Sequence, residues 1–330
     1  DLGGEWKFKA ERYSLHGQHE IGYRNYPRLK EIDFSHQGLT TLQELELSHP
    51  IFLSLTGEWF VEGQGIVDAQ IGYQDILLRT ALGLRWLPTL NWRLESAFVW
   101  QHHYYLPLLG KEQMFQKWFG EGALQGQIIQ PEFSLNLAYL NSDRSWMEFN
   151  LTPVALCNDV LLSSYYFRSE SRIPFGNWTL RARLQQGAVV WHGDAVNSLH
   201  NRFFLGGSST IRGWAYRRLR IPGDESEVFD ISRGAERMGM ASLEFQYEFI
   251  PTFSALTFVD VGRIWDTPPP GEGGLSNLPK LLPSIGIGFL FPSPVGDVII
   301  APAWQLLDAD VKHAPPRMTT HFYISRGLGE

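Results

Sequence analysis

The sequence predicts an all-β chain, a transmembrane antiparallel β-barrel of sixteen strands. Three observations point there. Apolar and polar residues alternate with period two through almost every readable segment, which is the signature of strands. Aromatic residues gather near strand ends on the apolar face, at Trp86, Trp92, Trp100, Tyr139, Trp178, Trp265 and Trp304, as the girdles of outer-membrane barrels do. The opposite face carries arginines across from carboxylates, which suits a water-filled or plugged lumen and not a sandwich core. Twelve strands is the alternative if parts of 19–48 lie outside the wall.

The elements follow in order. In "EWKFKAERY" Trp6, Phe8 and Ala10 alternate with Lys7, Lys9 and Glu11. "LRTALGLRWL" sets Leu78, Thr80, Leu82, Leu84 and Trp86 against Arg79, Ala81, Gly83 and Arg85. "NWRLESAFVW" sets Trp92, Leu94, Ser96, Phe98 and Trp100 against Arg93, Glu95, Ala97, Val99 and Gln101. Pro88-Thr89 between these two is expected to make a tight hairpin. "EFSLNLAYL" (Phe133, Leu135, Leu137, Tyr139), "SWMEFNLT" (Met147, Phe149, Leu151), "NWTLRARLQ" (Trp178, Leu180, Ala182, Leu184) and "SLEFQYEF" (Leu243, Phe245, Tyr247, Phe249) repeat the pattern. Long loops are expected at 105–130, 193–238 and 266–282, and short turns near 88 and 142–145, as in a barrel with one loopy end.

Composition agrees. Charged residues make up only 19% of the 330, below the quarter usual in soluble domains, while 12 tryptophans raise the aromatic share. No apolar run approaches the roughly 18 residues of a membrane helix. On composition alone a soluble all-β protein and a membrane barrel both stay open. The net charge of −7, with no basic tract, gives nucleic acid no support as a partner. Cys157 is the single cysteine, so neither an intramolecular disulfide nor a cysteine zinc site is available. "DLGGEWKFKA" lacks the apolar core of a signal peptide.

The stretch "RFFLGGSSTIRGWAYRRL" (202–219) carries more. Leu205-Gly206-Gly207 followed by Ile211-Arg212-Gly213-Trp214 resembles the inward-folded loop of the BamA/TamA-type outer-membrane assembly and translocation barrels. That superfamily of bacterial surface antigens includes the two-partner-secretion transporters. Three further pieces stand in the family's order: "SLEFQYEF" (242–249), "FVDVGRIWD" (258–266) and "GIGFLFPSPVGDVIIAPAWQL" (286–306), with "THFYISRGL" (320–328) as a last strand. The match covers about 202–328. Residues 1–200 share only the strand pattern. The turn Ser293-Pro294-Val295-Gly296-Asp297 lacks a second proline that many members have, and "RGLGE" replaces the usual terminal aromatic.

The resemblance implies one barrel domain over 1–330, with no POTRA module and with the loop 193–238 folded into the lumen. Gly206, Gly207, Ile211, Arg212, Gly213 and Trp214 would form the loop motif. Glu244, Phe258, Asp260 and Gly262 would form the wall it touches, with Glu244 and Asp260 pairing Arg212. A guanidinium offers a planar fork that lysine lacks. The implied location is the bacterial outer membrane. The implied activity is insertion or translocation of polypeptide, without covalent step or cofactor. Its partners would be the lipid bilayer, unfolded or nascent outer-membrane or secreted polypeptides, and lipid as a second cargo. A passive pore, or an anchor for a further domain such as a lipase, is the alternative. Barrel closure removes sheet edges, and a weak seam could template a client strand. The seam would lie between Trp6 and Phe8 on one strand and Phe322 and Ile324 on the other, flanked by Gly3-Gly4, Gly327 and Gly329.

Other chemistry finds little support. No Gly-x-Ser-x-Gly elbow is present. His102-His103 and His192 fall near expected strand ends, where histidine is usually interfacial. Adjacent strand residues point to opposite faces, so His102 and His103 do not share a metal. "GGSST" lacks the Gly-Lys-Ser/Thr of a phosphate loop. Asp75 and Glu95 read as solvated or lumenal. No catalytic, cofactor-binding or metal-binding residue is expected.

Overall fold

The computed structural model describes residues 2–10, 13–25, 37–50, 57–70, 73–89, 91–107, 113, 128–141, 145–157, 160–192, 201–219, 221, 233–266, 280–293, 296–307 and 318–325. They contain fifteen strands: β1 (Leu2–Ala10), β2 (Tyr13–Asn25), β3 (Gln37–Pro50), β4 (Gly57–Gln70), β5 (Tyr73–Thr89), β6 (Trp92–Pro107), β7 (Ile128–Asn141), β8 (Ser145–Cys157), β9 (Val160–Phe175), β10 (Trp178–His192), β11 (Arg237–Ile250), β12 (Phe253–Trp265), β13 (Leu282–Ser293), β14 (Gly296–Gln305) and β15 (Met318–Ser325). They form one sheet in sequence order, with antiparallel ladders from β1 to β6 and from β10 to β15. Of the segment 19–48, residues 19–25 enter that sheet in β2 and residues 37–48 in β3.

The period-two pattern decides which side chains lie on which face. On β5 and β6, Leu78, Leu82, Leu84, Phe98 and Trp100 are 46–59% exposed, while Ala81, Ala97 and Val99 are at most 3% exposed. Rows of large exposed apolar side chains over many strands mark a surface made for a non-aqueous neighbour. The other face takes the charges.

Connection lengths sort by strand parity. The five longest connections all follow even-numbered strands: β2, β6, β10, β12 and β14. Reversals after β5, β7, β9, β11 and β13 take two or three residues. The expected hairpin at Pro88-Thr89 is displaced. β5 runs through Thr89, which pairs with Trp92 after a register shift from Trp86, so the strand continues past Pro88. The Asn91 amide donates to Thr89 Oγ1 at 3.3 Å. An irregular register is where a strand tolerates a proline without a ladder donor. β6 also continues to Pro107, which places Trp100 mid-strand and not at an end.

By contacts the chain divides into two units, one of Asp1–Ala138, Phe149–Tyr165 and Val190–His200, the other of Tyr139–Glu148, Tyr166–Val189 and Asn201–Glu330. In the first, Phe60, Ala81, Ala97 and Val99 form a buried cluster. Above it Arg85 binds Glu46 at 2.8 Å, Glu58 at 2.7 Å and Glu95 at 3.0 Å, with its guanidinium 4.7 Å from the Phe60 ring centroid. Arg79 binds Glu62 beside it. Arg85→Met would leave three glutamates facing one another. It is expected to cost about 2 kcal/mol, between an exposed and a buried pair, read as a lower Tm in detergent.

In the second unit an aromatic ladder crosses the short-turn end. Trp178–Tyr247, Tyr247–Phe249, Phe249–Phe253 and Phe253–Phe291 have ring centroids 4.6, 4.8, 5.6 and 5.2 Å apart. Interfacial belts use such rings. The sequence pattern marked only Trp178 as an end aromatic. Phe253 was missed because β12 begins five residues before the "FVDVGRIWD" segment.

Candidate functional site

The segment 202–219 folds back on itself before it meets the sheet. Phe203 and Ala235 exchange backbone hydrogen bonds of 2.7 and 2.9 Å at its base. Gly207 N donates to Trp214 O at 2.9 Å, and Leu219 N to Leu205 O at 3.2 Å. Gly206 sits at φ +108, and a Cβ there would lie 2.3 Å from Ala215 O, so only glycine closes this turn. Leu205, Ile211, Trp214 and Leu219 are buried with Met238, Met240, Ile264 and Leu282. The Phe203 ring stacks on Tyr166, with centroids 6.2 Å apart.

Apolar packing delivers Arg212, fully buried, to the polar face of β11 and β12. Its Nε donates to Asp260 Oδ2 at 2.9 Å and Nη2 to Asp260 Oδ1 at 2.8 Å. Nη1 donates to Glu244, and Nη2 also to Ser242 Oγ at 3.2 Å. The Arg212 amide reaches Asp260 Oδ2 at 2.9 Å, and Ser242 Oγ donates to Asp260 at 2.7 Å. The guanidinium carbon lies 3.3 Å from the Phe258 ring centroid. A bidentate carboxylate plus an aromatic face is the environment in which an arginine can be buried. Burial opposes the charge, but the hydrogen bonds and charges of Asp260 and Glu244 outweigh it and hold the guanidinium above its usual range. Two carboxylates for one guanidinium leave a negative balance. Arg181, 3.9 Å from Glu244, and Arg183, 3.1 Å from Ser242 Oγ, border it.

Gly213 carries the contact onward. Its amide donates to Ser284 Oγ at 3.2 Å, and its carbonyl accepts from Gln305 Nε2 at 2.9 Å and Thr319 Oγ1 at 3.1 Å. A Cβ here would meet Ser284 Cβ at 2.5 Å. The Arg212 carbonyl lies 2.6 Å from His321 Nε2. Ile211 Cδ1 lies against Gly262. Gly206, Gly207, Ile211, Arg212, Gly213 and Trp214 are thus brought together with Glu244, Phe258, Asp260 and Gly262. Sequence reasoning did not find Ser242, Ser284, Gln305, Thr319 and His321. Ser242 had a readable signal, since it shares the face of Glu244 two residues on.

Elsewhere the candidates separate. β1 and β15 are the two ends of the sheet order, and no pair among the described residues joins them. Phe322 is exposed on β15. The side chains of Trp6, Phe8 and Ile324 lie outside the described residues. His103 is buried within β6 and not at its end, with Nδ1 3.1 Å from Asp75. Asp75 and Glu95 are apart, opposite Tyr105 and Arg85 respectively. Ser163 Oγ lies 2.8 Å from His192 Nε2 but donates to Pro153 O at 2.7 Å. A hydroxyl that gives its hydrogen to a carbonyl is not being activated by the histidine.

The pattern of the Omp85 superfamily domain matches residues 34–328. The outer membrane protein assembly factor BamA of Nitratidesulfovibrio vulgaris is 26% identical over 165 residues, covering 49% of this chain and 20% of that protein. The chain therefore spans about a fifth of that relative's length. BamA from Haemophilus ducreyi lacking POTRA domains 1–3 superposes with a TM-score of 0.64 at 14% identity, over 97% of this chain and 69% of that one. CdiB from Acinetobacter baumannii superposes with a TM-score of 0.53 at 10% identity, over 97% and 58%. At these identities the two structures share the fold.

Proposed function

The chain belongs to the Omp85 superfamily, a family of outer-membrane proteins, and from that premise we propose that it inserts or translocates polypeptide across that membrane. In this reading the sheet closes as a sixteen-stranded barrel, and the loop 193–238 lies in its lumen as a plug. The region between β1 and β15 serves as a lateral gate. The observation that carries the reading is the seat of Arg212 on Asp260, Glu244 and Ser242. A buried, fully paired arginine at a loop tip is a fixed attachment, and it gives a plug a definite closed position.

Strand parity supports the gate. In the proposed barrel, with every neighbour antiparallel, β1 and β15 would run the same way. One further strand of opposite direction would pair with both edges, and a client strand has that option by β-augmentation. No covalent step, metal or cofactor is needed. The work lies in strand pairing and in bilayer thinning near the gate. Clients would be unfolded or nascent outer-membrane or secreted polypeptides, with lipid as a second cargo.

The test is reconstitution of the full chain, with Cys157→Ser, in lipid vesicles with an unfolded outer-membrane client. Protease-protected client should accumulate several-fold faster than in empty vesicles. A bifunctional maleimide bridging Phe8→Cys and Phe322→Cys should abolish the gain, and an equal dose on either single variant should not. Ion conductance with no effect on the client would make the barrel a passive pore and overturn the proposal.

A further inference from the structure

The Arg212-Gly213 dipeptide is held as completely as a bound ligand. Its two amides donate to Asp260 and Ser284, and its two carbonyls accept from His321, Gln305 and Thr319. Side chains meet all four main-chain groups. Buried main-chain groups must find partners somewhere, but here the partners are distributed unevenly. Two of the three carbonyl donors, Thr319 and His321, come from β15, the last strand in the order and, at 8 residues, the shortest of the fifteen.

β15 has few other attachments among the described residues. It pairs with β14, from Asp297↔Ser325 to Trp304↔Met318. Its Met318 and Phe322 side chains are exposed. On the covered face, His321 stands opposite Ala301 and Thr319 opposite Ala303, and both alanines are fully buried. Small residues at these two positions leave the space through which the longer side chains reach the loop.

We infer that His321 and Thr319 make the loop motif a strap for β15. The seat of Arg212-Gly213 and the pairing of β15 on β14 form one coupled unit, and His321 is its positioning residue. The Arg212 side chain grips β11 and β12, while its carbonyl grips β15. Loosening the first grip moves the carbonyl that the second depends on. What His321 must supply is an N–H at Nε2, so another side chain with a donor at that reach can replace it. The consequence for a client at the β15 edge rests on the function proposed above. The strap itself does not.

Hydrogen exchange of the full chain in detergent tests it, read on the amides of 318–325, with β4 and β5 as internal controls. His321→Phe and Arg212→Ala should each speed exchange in β15 by roughly ten- to a hundredfold, as expected when a buried carbonyl loses its partner. Thr319→Val should have a smaller effect, because Gln305 still donates to Gly213. His321→Gln, which places an N–H near the same carbonyl, should return exchange towards that of the unaltered chain. Unchanged β15 exchange in Arg212→Ala, or exchange in His321→Gln as fast as in His321→Phe, overturns the strap. If His321→Phe does not fold, Arg212→Ala and Thr319→Val still decide the matter. The vesicle assay on the same variants separates the two proposals. Fast β15 exchange with unchanged client entry keeps the strap and sinks the gate.

Discussion

Arg212→Ala should leave a folded sheet and a released loop. The strand order from β1 to β14 runs strand to strand without the loop, and only β15 is tied to it, through Thr319 and His321. The site beneath it fares worse. Asp260, fully buried, would keep Ser242 but lose both guanidinium bonds, and Glu244 would lose its closest cation. Breaking a buried pair by removing one partner costs about 3–5 kcal/mol, chiefly because the other charge is left stranded. That exceeds what Ile211 and Trp214 can offset, since their burial depends on the same seat. The loop at 202–219 should therefore become open to protease in reconstituted protein, and, on the function proposed above, client insertion should fall at least tenfold. Arg212→Lys should behave like the alanine variant, because one ammonium cannot hold both oxygens of Asp260 while reaching Glu244 and Ser242. Arg212→Met with Asp260→Asn should recover part of the stability, because the stranded charge is gone. A loop as resistant as before, together with full insertion activity in Arg212→Ala, would sink the clasp.

The elements were legible in the sequence because period two is a local property. Leu82, Leu84 and Phe98 declare the exposed face of β5 and β6 without knowledge of any neighbour. Glu244 and Asp260 could be named as partners of Arg212 because the family resemblance sets the loop motif against their strands, and each sits on the polar face of its own strand. The rest needed information that no window of ten residues holds. Ser284, Gln305, Thr319 and His321 reach the loop from three strands whose placement follows from the whole sheet order. The Arg85 knot draws Glu46, Glu58 and Glu95 from β3, β4 and β6, and it becomes visible only once the cross-strand registers are known. The end of β5 is misread from the sequence for the opposite reason. Pro88 is a strong local breaker, and a register shift absorbed it within β5.

Gly286→Val should be the most damaging single change within a strand of the second unit. Gly286 pairs directly with Phe258 across β12 and β13. The ring lies against it, so that a Cβ on residue 286 would be 2.1 Å from the ring and 2.6 Å from Pro302 O. Laying an aromatic across a cross-strand glycine covers backbone the glycine leaves bare. Here the same ring carries the Arg212 guanidinium, 3.3 Å from its centroid. Valine must expel the ring, and the ring cannot move without disturbing the arginine. Overpacking alone costs about 1–3 kcal/mol, and the lost stacking adds about another 1 to 2. The expected result is a fall in Tm of several degrees, with a protease-open loop, although residue 286 itself lies outside the loop. Gly63→Ala is the control, since a Cβ there meets nothing within 4 Å. Phe258→Ala combined with Gly286→Val should regain the packing loss but not the loop, because Arg212 then has no ring beneath it. Phe60 repeats the arrangement over Gly83, with Arg85 above it. Gly83→Val should therefore lower Tm without opening the loop, because its arginine belongs to the wall. Equal melting of Gly286→Val and Gly63→Ala would show that the stack bears no load.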